Sequence, residues 1–148
     1  MANDGTRMRR ALERGVIAGL RAAGFTGAWP HFRRRLTTRI DLVTIRFDKW
    51  GGGFYVAIAV APPSKLRPPI VWFAIAAAKV TAEHVVDYDR RVLRQWRLGA
   101  RARKGNHWYR YDKSRAAGRF DALAAKVDAD LARQAEPFWR TARFRPML

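Results

Sequence analysis

The chain contains no cysteine. That absence excludes a disulfide framework, a cysteine-ligated zinc site and a thiol nucleophile. Long apolar runs are missing too: the longest, Ile70 to Ala78, is nine residues, well short of the ~20 that a membrane-spanning helix needs. The polar N-terminus shows no apolar segment followed by a small-residue cleavage site, so a cytoplasmic location is expected, with no membrane span. Acids are scarce, with 12 Asp and Glu against 30 Lys and Arg, a formal net charge of +18 at pH 7. Lysine is scarce as well, since 24 of the 30 bases are Arg. A GC-rich codon bias accounts for Arg in place of Lys. It does not account for the charge, because Asp and Glu codons are equally open to it. Such an excess opposes compaction by self-repulsion and calls for a counter-charged partner.

What is present suits a folded core. Of 148 residues, 49% are hydrophobic, with 6 Trp, 8 Phe and 4 Tyr, a composition unlike that of disordered chains. One domain over residues 1–148 with short flexible ends is expected. Residues 6 to 24 read as an amphipathic helix: Met8, Leu12, Val16 and Leu20 repeat every four residues, Thr6 offers a cap, and Gly24-Phe25 offers a stop. Strands follow over Trp29–Arg35, Arg39–Asp48 and Phe54–Ala61. In the second of these the apolar parity switches between Leu42 and Val43, which means a bulge or burial on both faces. In the third, Phe54, Val56, Ile58 and Val60 share one face and Tyr55, Ala57, Ala59 and Ala61 the other. The Gly51-Gly52-Gly53 triplet makes the turn between them.

Pro62 to Pro69 is a loop, and Ile70 to Ala78 fits either a buried strand or a helix start. Alternation resumes from Val86 to Leu98 as an edge strand, Gly99 to Gly105 is a basic loop, and His107 to Tyr111 is a short aromatic strand. Phe120, Leu123, Ala124, Val127, Leu131, Gln134, Ala135 and Phe138 then mark a second amphipathic helix with one polar intruder, and Pro137 should kink or end it near Glu136. The order predicts an α+β fold: an antiparallel sheet of about four to six strands, packed on one face by an N-terminal and a C-terminal helix.

Several segments also carry a resemblance. Leu20-Arg21-Ala22-Ala23-Gly24-Phe25, the basic aromatic strand Trp29 to Arg35, and Val43-Thr44-Ile45-Arg46-Phe47 resemble the opening of a bacterial family known as domain of unknown function 4304. Phe54-Tyr55-Val56-Ala57-Ile58, Trp96-Arg97-Leu98-Gly99, His107-Trp108-Tyr109 and Ala135-Glu136-Pro137-Phe138-Trp139 resemble its later segments. The chain departs from the family's asparagine-phenylalanine-glutamine strand, where it has Ile45-Arg46-Phe47-Asp48. The resemblance implies a shared fold and transfers no catalytic residue and no cofactor.

The residues themselves offer little catalytic chemistry. His31, His84 and His107 show no metal-binding spacing, and His84 with Asp87 is the nearest approach to a ligand pair. The glycine triplet opens a strand and lacks the Gly-Lys-Ser/Thr ending of a phosphate loop. Ser64 and Ser114 have no nucleophile-elbow setting. Were the protein an enzyme, His107, Asp112 and Tyr109 or Tyr111 would be the eligible groups, beside Arg110 as an anion holder. No cofactor is expected.

Charge is the stronger signal. Arg90 to Arg119 holds eleven bases and a single acid, Asp112. Aromatics are interleaved there as Trp96-Arg97 and His107-Trp108-Tyr109-Arg110-Tyr111, a mixture that can hold phosphates and stack unpaired bases. The expected function is therefore a non-catalytic basic module binding nucleic acid or another anionic partner. The candidate contacts are Arg90, Arg94, Arg97, Arg101, Arg103, Lys104, Arg110, Lys113 and Arg115. The alternative is an immunity or accessory protein that docks on an acidic protein by charge complementarity.

Overall fold

The computed structural model describes residues 3–64, 74–85, 95–101 and 105–141. The proline loop beyond residue 64, most of the apolar run, most of the proposed edge strand and part of the basic loop lie outside those residues. The N-terminal helix comprises α1 (Asp4–Leu12), a five-residue π segment (Glu13–Ile17) and α2 (Ala18–Ala22). Its cap is Asn3 and not the expected Thr6: the Asn3 side chain accepts the Thr6 amide at 2.8 Å. Asn is the better cap, and Asp4 in the first turn complements the helix dipole. The stop is as the sequence predicts. Gly24 has φ 98°, the Phe25 amide returns to the Leu20 carbonyl at 2.9 Å, and Phe25 is buried.

Among the described residues six strands form one antiparallel sheet. β1 (Thr26–Ala28) and β2 (His31–Arg35) make a hairpin across Trp29-Pro30, whose peptide bond is cis. Trp29 thus belongs to a turn, where proline cannot donate to a ladder. β3 (Ile40–Phe47) pairs with β2 on one edge and along its whole length with β4 (Gly53–Ala61) on the other. The far edge of β4 is shared: β5 (Gln95–Arg97) takes Ala57 to Ala59, and β6 (Tyr109–Arg110) takes Gly53 and Phe54. The glycine turn between β3 and β4 stands where the sequence put it.

The parity switch in β3 is burial on both faces, because every residue from Ile40 to Phe47 keeps its partner on β4 with no bulge. One face presents Phe32, Val43, Ile45, Phe54, Val56, Ile58 and Val60 to the two terminal helices. The other presents Ile40, Leu42, Ala57, Ala59 and Ala61 to Val80, Ala82 and Val85. Residues 74–78, the described end of the ambiguous apolar run, hold one bridge residue, Ile75. Two short 3-10 turns follow, Ala77–Lys79 and Ala82–His84.

The C-terminal helix comprises α3 (Arg119–Asp130), a second π segment (Leu131–Ala135) and α4 (Glu136–Arg140). Pro137 does not end it. The widened turn immediately before Glu136 accommodates the ring and the missing N–H, and the helix continues to Arg140. Gln134, the polar intruder in the apolar stripe, accepts the Gly99 amide at 2.7 Å and so ties the turn after β5 to the helix. The two terminal helices meet at small residues: a Cβ on Gly15 would lie 3.4 Å from the Ala124 Cβ.

Candidate functional site

Strand alternation sorts the aromatic and basic residues that the sequence interleaves. Tyr109 and Tyr111 enter the core on the helical side, with Trp96 packed against it. Arg97 points the other way. Its guanidinium lies 3.7 Å from the Tyr55 ring centroid and 5.7 Å from that of Trp108, while Tyr55 and Trp108 meet edge to face at 5.2 Å. Burial pulls the Arg97 pKa below its ordinary value, and its buried NH1 makes no hydrogen bond. This arginine is held by ring faces, a cation–π arrangement.

Arg110 is held by acids. It donates to Asp112 from Nε at 3.1 Å and from NH2 at 2.5 Å, and it lies 3.6 Å from Asp48. The hydrogen bond to Asp112 raises the Arg110 pKa and lowers that of Asp112. Both side chains press on Gly52, whose φ of +85° and lack of a Cβ admit them. Arg101, Lys113 and Arg115 are exposed and have no acid partner among the described residues. Arg90, Arg94, Arg103 and Lys104 lie outside them. Of the nine candidate contacts, three are therefore displayed as free cations, and two are occupied within the fold.

The scarce acids are almost all paired. Asp4 meets Arg7 and Arg119; Glu13 meets Arg9; Asp48 and Asp112 meet Arg110; Glu83 meets Arg46; and Asp121 meets Arg14. Asp41, wholly buried, takes Arg34 at 2.8 Å and Arg39 at 2.7 Å, and Arg34 also reaches Glu136 at 3.1 Å. Asp130, also buried, accepts the Tyr109 hydroxyl at 2.7 Å and both Lys126 and Arg133 at 3.0 Å. Burial pushes the Asp130 pKa up, but these three donors outweigh it and hold the pKa below the ordinary carboxylate value. Among the described acids only Asp128 has no ion pair.

The groups eligible for catalysis are not gathered. His107 lies edge-on to Tyr109 at 4.7 Å and presses on Gly99, where a Cβ would collide with its ring. Burial lowers its pKa, Lys126, Arg97 and Lys113 push the same way, and Asp130 opposes them. The Tyr109 hydroxyl is spent on Asp130, and burial with that hydrogen bond raises its pKa. The Tyr111 hydroxyl accepts the Gly52 amide at 3.1 Å, close to Gly5 of α1. His84 accepts the Thr81 amide at 3.0 Å as a local cap. Among the described residues no His, Asp and Glu cluster has the makings of a metal site.

Two features were not visible in the sequence. His31 shares a hydrogen bond of 2.8 Å with the buried Thr44 and lies 3.8 Å from Glu83, so it helps tie the 3-10 turns to the sheet. Glu83 is 52 residues from His31 along the chain, and no local spacing could announce that meeting. The second is a pair of adjoining grooves where α1 begins and β3 turns into β4. One, of about 450 Å³, is lined by Arg9, Trp29, Arg46 and Phe47. The other, of about 650 Å³, is lined by Phe47, Lys49, Trp50, Arg110, Tyr111 and Asp112. Trp50 is 85% exposed.

An antiparallel sheet, covered on one face by a helix from each end of the chain, defines an α+β protein with a basic exterior. The family model of the domain of unknown function (DUF4304) matches residues 16–141, and the chain belongs to that family. The match runs from within the N-terminal helix to the residue that follows α4. No curated protein and no solved structure matches the chain.

Proposed function

We propose that this protein is a binding module whose basic surface engages an anionic partner, nucleic acid before any other. One observation carries the reading: nearly every described acid is already paired with a cation inside the fold, so the excess charge has no internal counter-charge. Arg101, Lys113 and Arg115 belong to that surplus, in the stretch where the sequence concentrates it. Desolvated Arg side chains such as Arg34 serve the fold; solvated cations of one sign raise the potential that draws phosphates. The reading goes with a cytoplasmic location, and no helix among the described residues is long and apolar enough to cross a membrane.

The test is a gel-shift titration with single-stranded and duplex oligonucleotides at two salt concentrations. Neutralising six or more phosphates gives a loss of about 10³-fold between 50 and 200 mM salt. Replacing Lys113 and Arg115 together by Glu should weaken binding and flatten that slope. Absence of any shift at micromolar protein and low salt rejects the reading. A nuclease-treated pull-down that still recovers one acidic protein would favour the protein-docking alternative.

A further inference from the structure

The hairpin tip between β3 and β4 is built without help from its tryptophan. Asp48 and the glycines make the turn: the Asp48 amide reaches the Gly53 carbonyl and the Gly51 amide reaches the Asp48 carbonyl, both at 2.9 Å. The Asp48 carboxylate accepts the Trp50 amide, also at 2.9 Å. Gly51 and Gly52 supply the positive φ angles, +84° and +85°. Any side chain at position 50 would satisfy this geometry, yet the residue there is the largest apolar one and it is 85% exposed. Its neighbour Lys49 places Nζ 5.1 Å from the indole, and an ammonium on a flexible stem leaves a ring face readily.

Beside the indole lies the groove of about 650 Å³, with Phe47 and Tyr111 among its walls. The volume is that of a small-ligand cleft. Its charges nearly cancel: Asp4, Asp48 and Asp112 line it with Lys49 and Arg110, Arg110 faces both Asp48 and Asp112, and Asp4 is drawn to Arg119. A phosphate gains little in such a place, whereas a flat neutral ring gains from stacking. Lys49 is in the cleft wall, Lys113 follows Asp112 and acts on its carboxylate, and Arg115 comes two residues later, so positive charge adjoins a near-neutral aromatic cleft. We propose that this cleft takes an unpaired nucleobase of single-stranded nucleic acid, stacked on Trp50, with the adjoining phosphates on Lys49, Lys113 and Arg115.

The inference rests on the nucleic-acid reading and adds strand selectivity to it. In a duplex the bases already stack on one another, and the indole has no partner. The experiment measures anisotropy of a labelled single-stranded oligonucleotide, and of its duplex, with the wild-type chain, Trp50→Ala and Trp50→Phe. Circular dichroism melts check that all three fold alike, as an exposed position allows. Stacking is worth about 1–3 kcal/mol per base, so Trp50→Ala should lose roughly tenfold or more in single-strand affinity. Trp50→Phe should keep most of it, and duplex binding should be the same in all three. Equal single-strand affinity for Trp50→Ala and wild type overturns the inference while leaving the basic-surface reading in place. An equal loss toward duplex overturns it too, as does a Trp50-dependent association with anionic lipid vesicles in place of oligonucleotides. No binding of either oligonucleotide by the wild type removes both readings at once.

Discussion

The two faces of the sheet solve the same burial problem with different materials. On the helical face, large side chains from β2, β3 and β4 meet two helices, and Trp139 seals the layer, packed 5.2 Å from Phe25 with its indole N–H donating to the Ala59 carbonyl at 2.9 Å. On the opposite face β4 shows three alanines, and among the described residues two short 3-10 turns lie over them. The thin layer works because Ala57, Ala59 and Ala61 let the covering backbone come close. Polar ties replace lost apolar area there: Arg33 donates to the Val80 carbonyl and Gln95 to the Ala82 carbonyl, both at 3.0 Å. Thick layers store stability in volume; thin ones store it in fit.

That contrast predicts unequal responses to substitution. Trp139→Ala empties the seal of the helical layer and removes the indole donor to the Ala59 carbonyl, so it should lose about 3–5 kcal/mol in urea unfolding. A loss below ~1 kcal/mol would show that the layer collapses over the gap. Ala59→Leu tests the thin face from the other direction. The three added carbon atoms cannot fit under Val80 and Ala82, and overpacking should destabilise by about 1–3 kcal/mol. Ile58→Leu, one residue away on the thick face, keeps its volume and should lose less than ~1.5 kcal/mol. Similar losses for both would erase the distinction between the faces.

Smaller effects sharpen it. Asp130 has a folded pKa below its ordinary 3.8, so its stabilising contribution is complete above the unfolded value and disappears as pH falls through the folded one. Asp130→Asn should therefore destabilise by about 1–2 kcal/mol at neutral pH, and its melting curve should converge on wild type in strong acid. A gap that stays constant from pH 7 to pH 2 would mean that the carboxylate charge is irrelevant. Gly15→Ala is the smallest change and the one expected to stabilise. Its Cβ meets Ala124 at 3.4 Å, near contact distance, and removing a helical glycine is worth up to about 1 kcal/mol. A lower melting temperature would show that the helices cannot yield those few tenths of an ångström.

The fold was legible where residues repeat at short range. The alternation of β4, the period of both helices, the Gly24-Phe25 stop and the glycine turn are all local signals, and each is present as read. Asn3 was overlooked for Thr6 because a cap is one hydrogen bond, and several polar residues near a helix start compete for it. Pro137 misled because the π turn that accommodates it has no sequence signature of its own. The candidate surface was legible as charge and not as geometry. Composition does not say that Arg97 and Arg110 are occupied by rings and carboxylates whereas Lys113 and Arg115 are free, because those contacts join separate strands and turns. Trp50 carries no signal of its own in the sequence, since exposure of a tryptophan is a property of the fold around it.

The terminal helices are neighbours on one layer, tied by Arg14 to Asp121 at 3.0 Å and by Arg119 to Asp4 at 3.3 Å. During synthesis the β3–β4 hairpin, with its nearby partners, can pair early, because closing a short loop is fast. The layer over Phe54, Val56 and Ile58 stays half-roofed until residues beyond Arg119 leave the ribosome. For that interval a nascent chain carries an uncovered apolar sheet face together with a high positive charge. Like charges on neighbouring chains repel, which keeps such faces apart in the interval when they are most exposed.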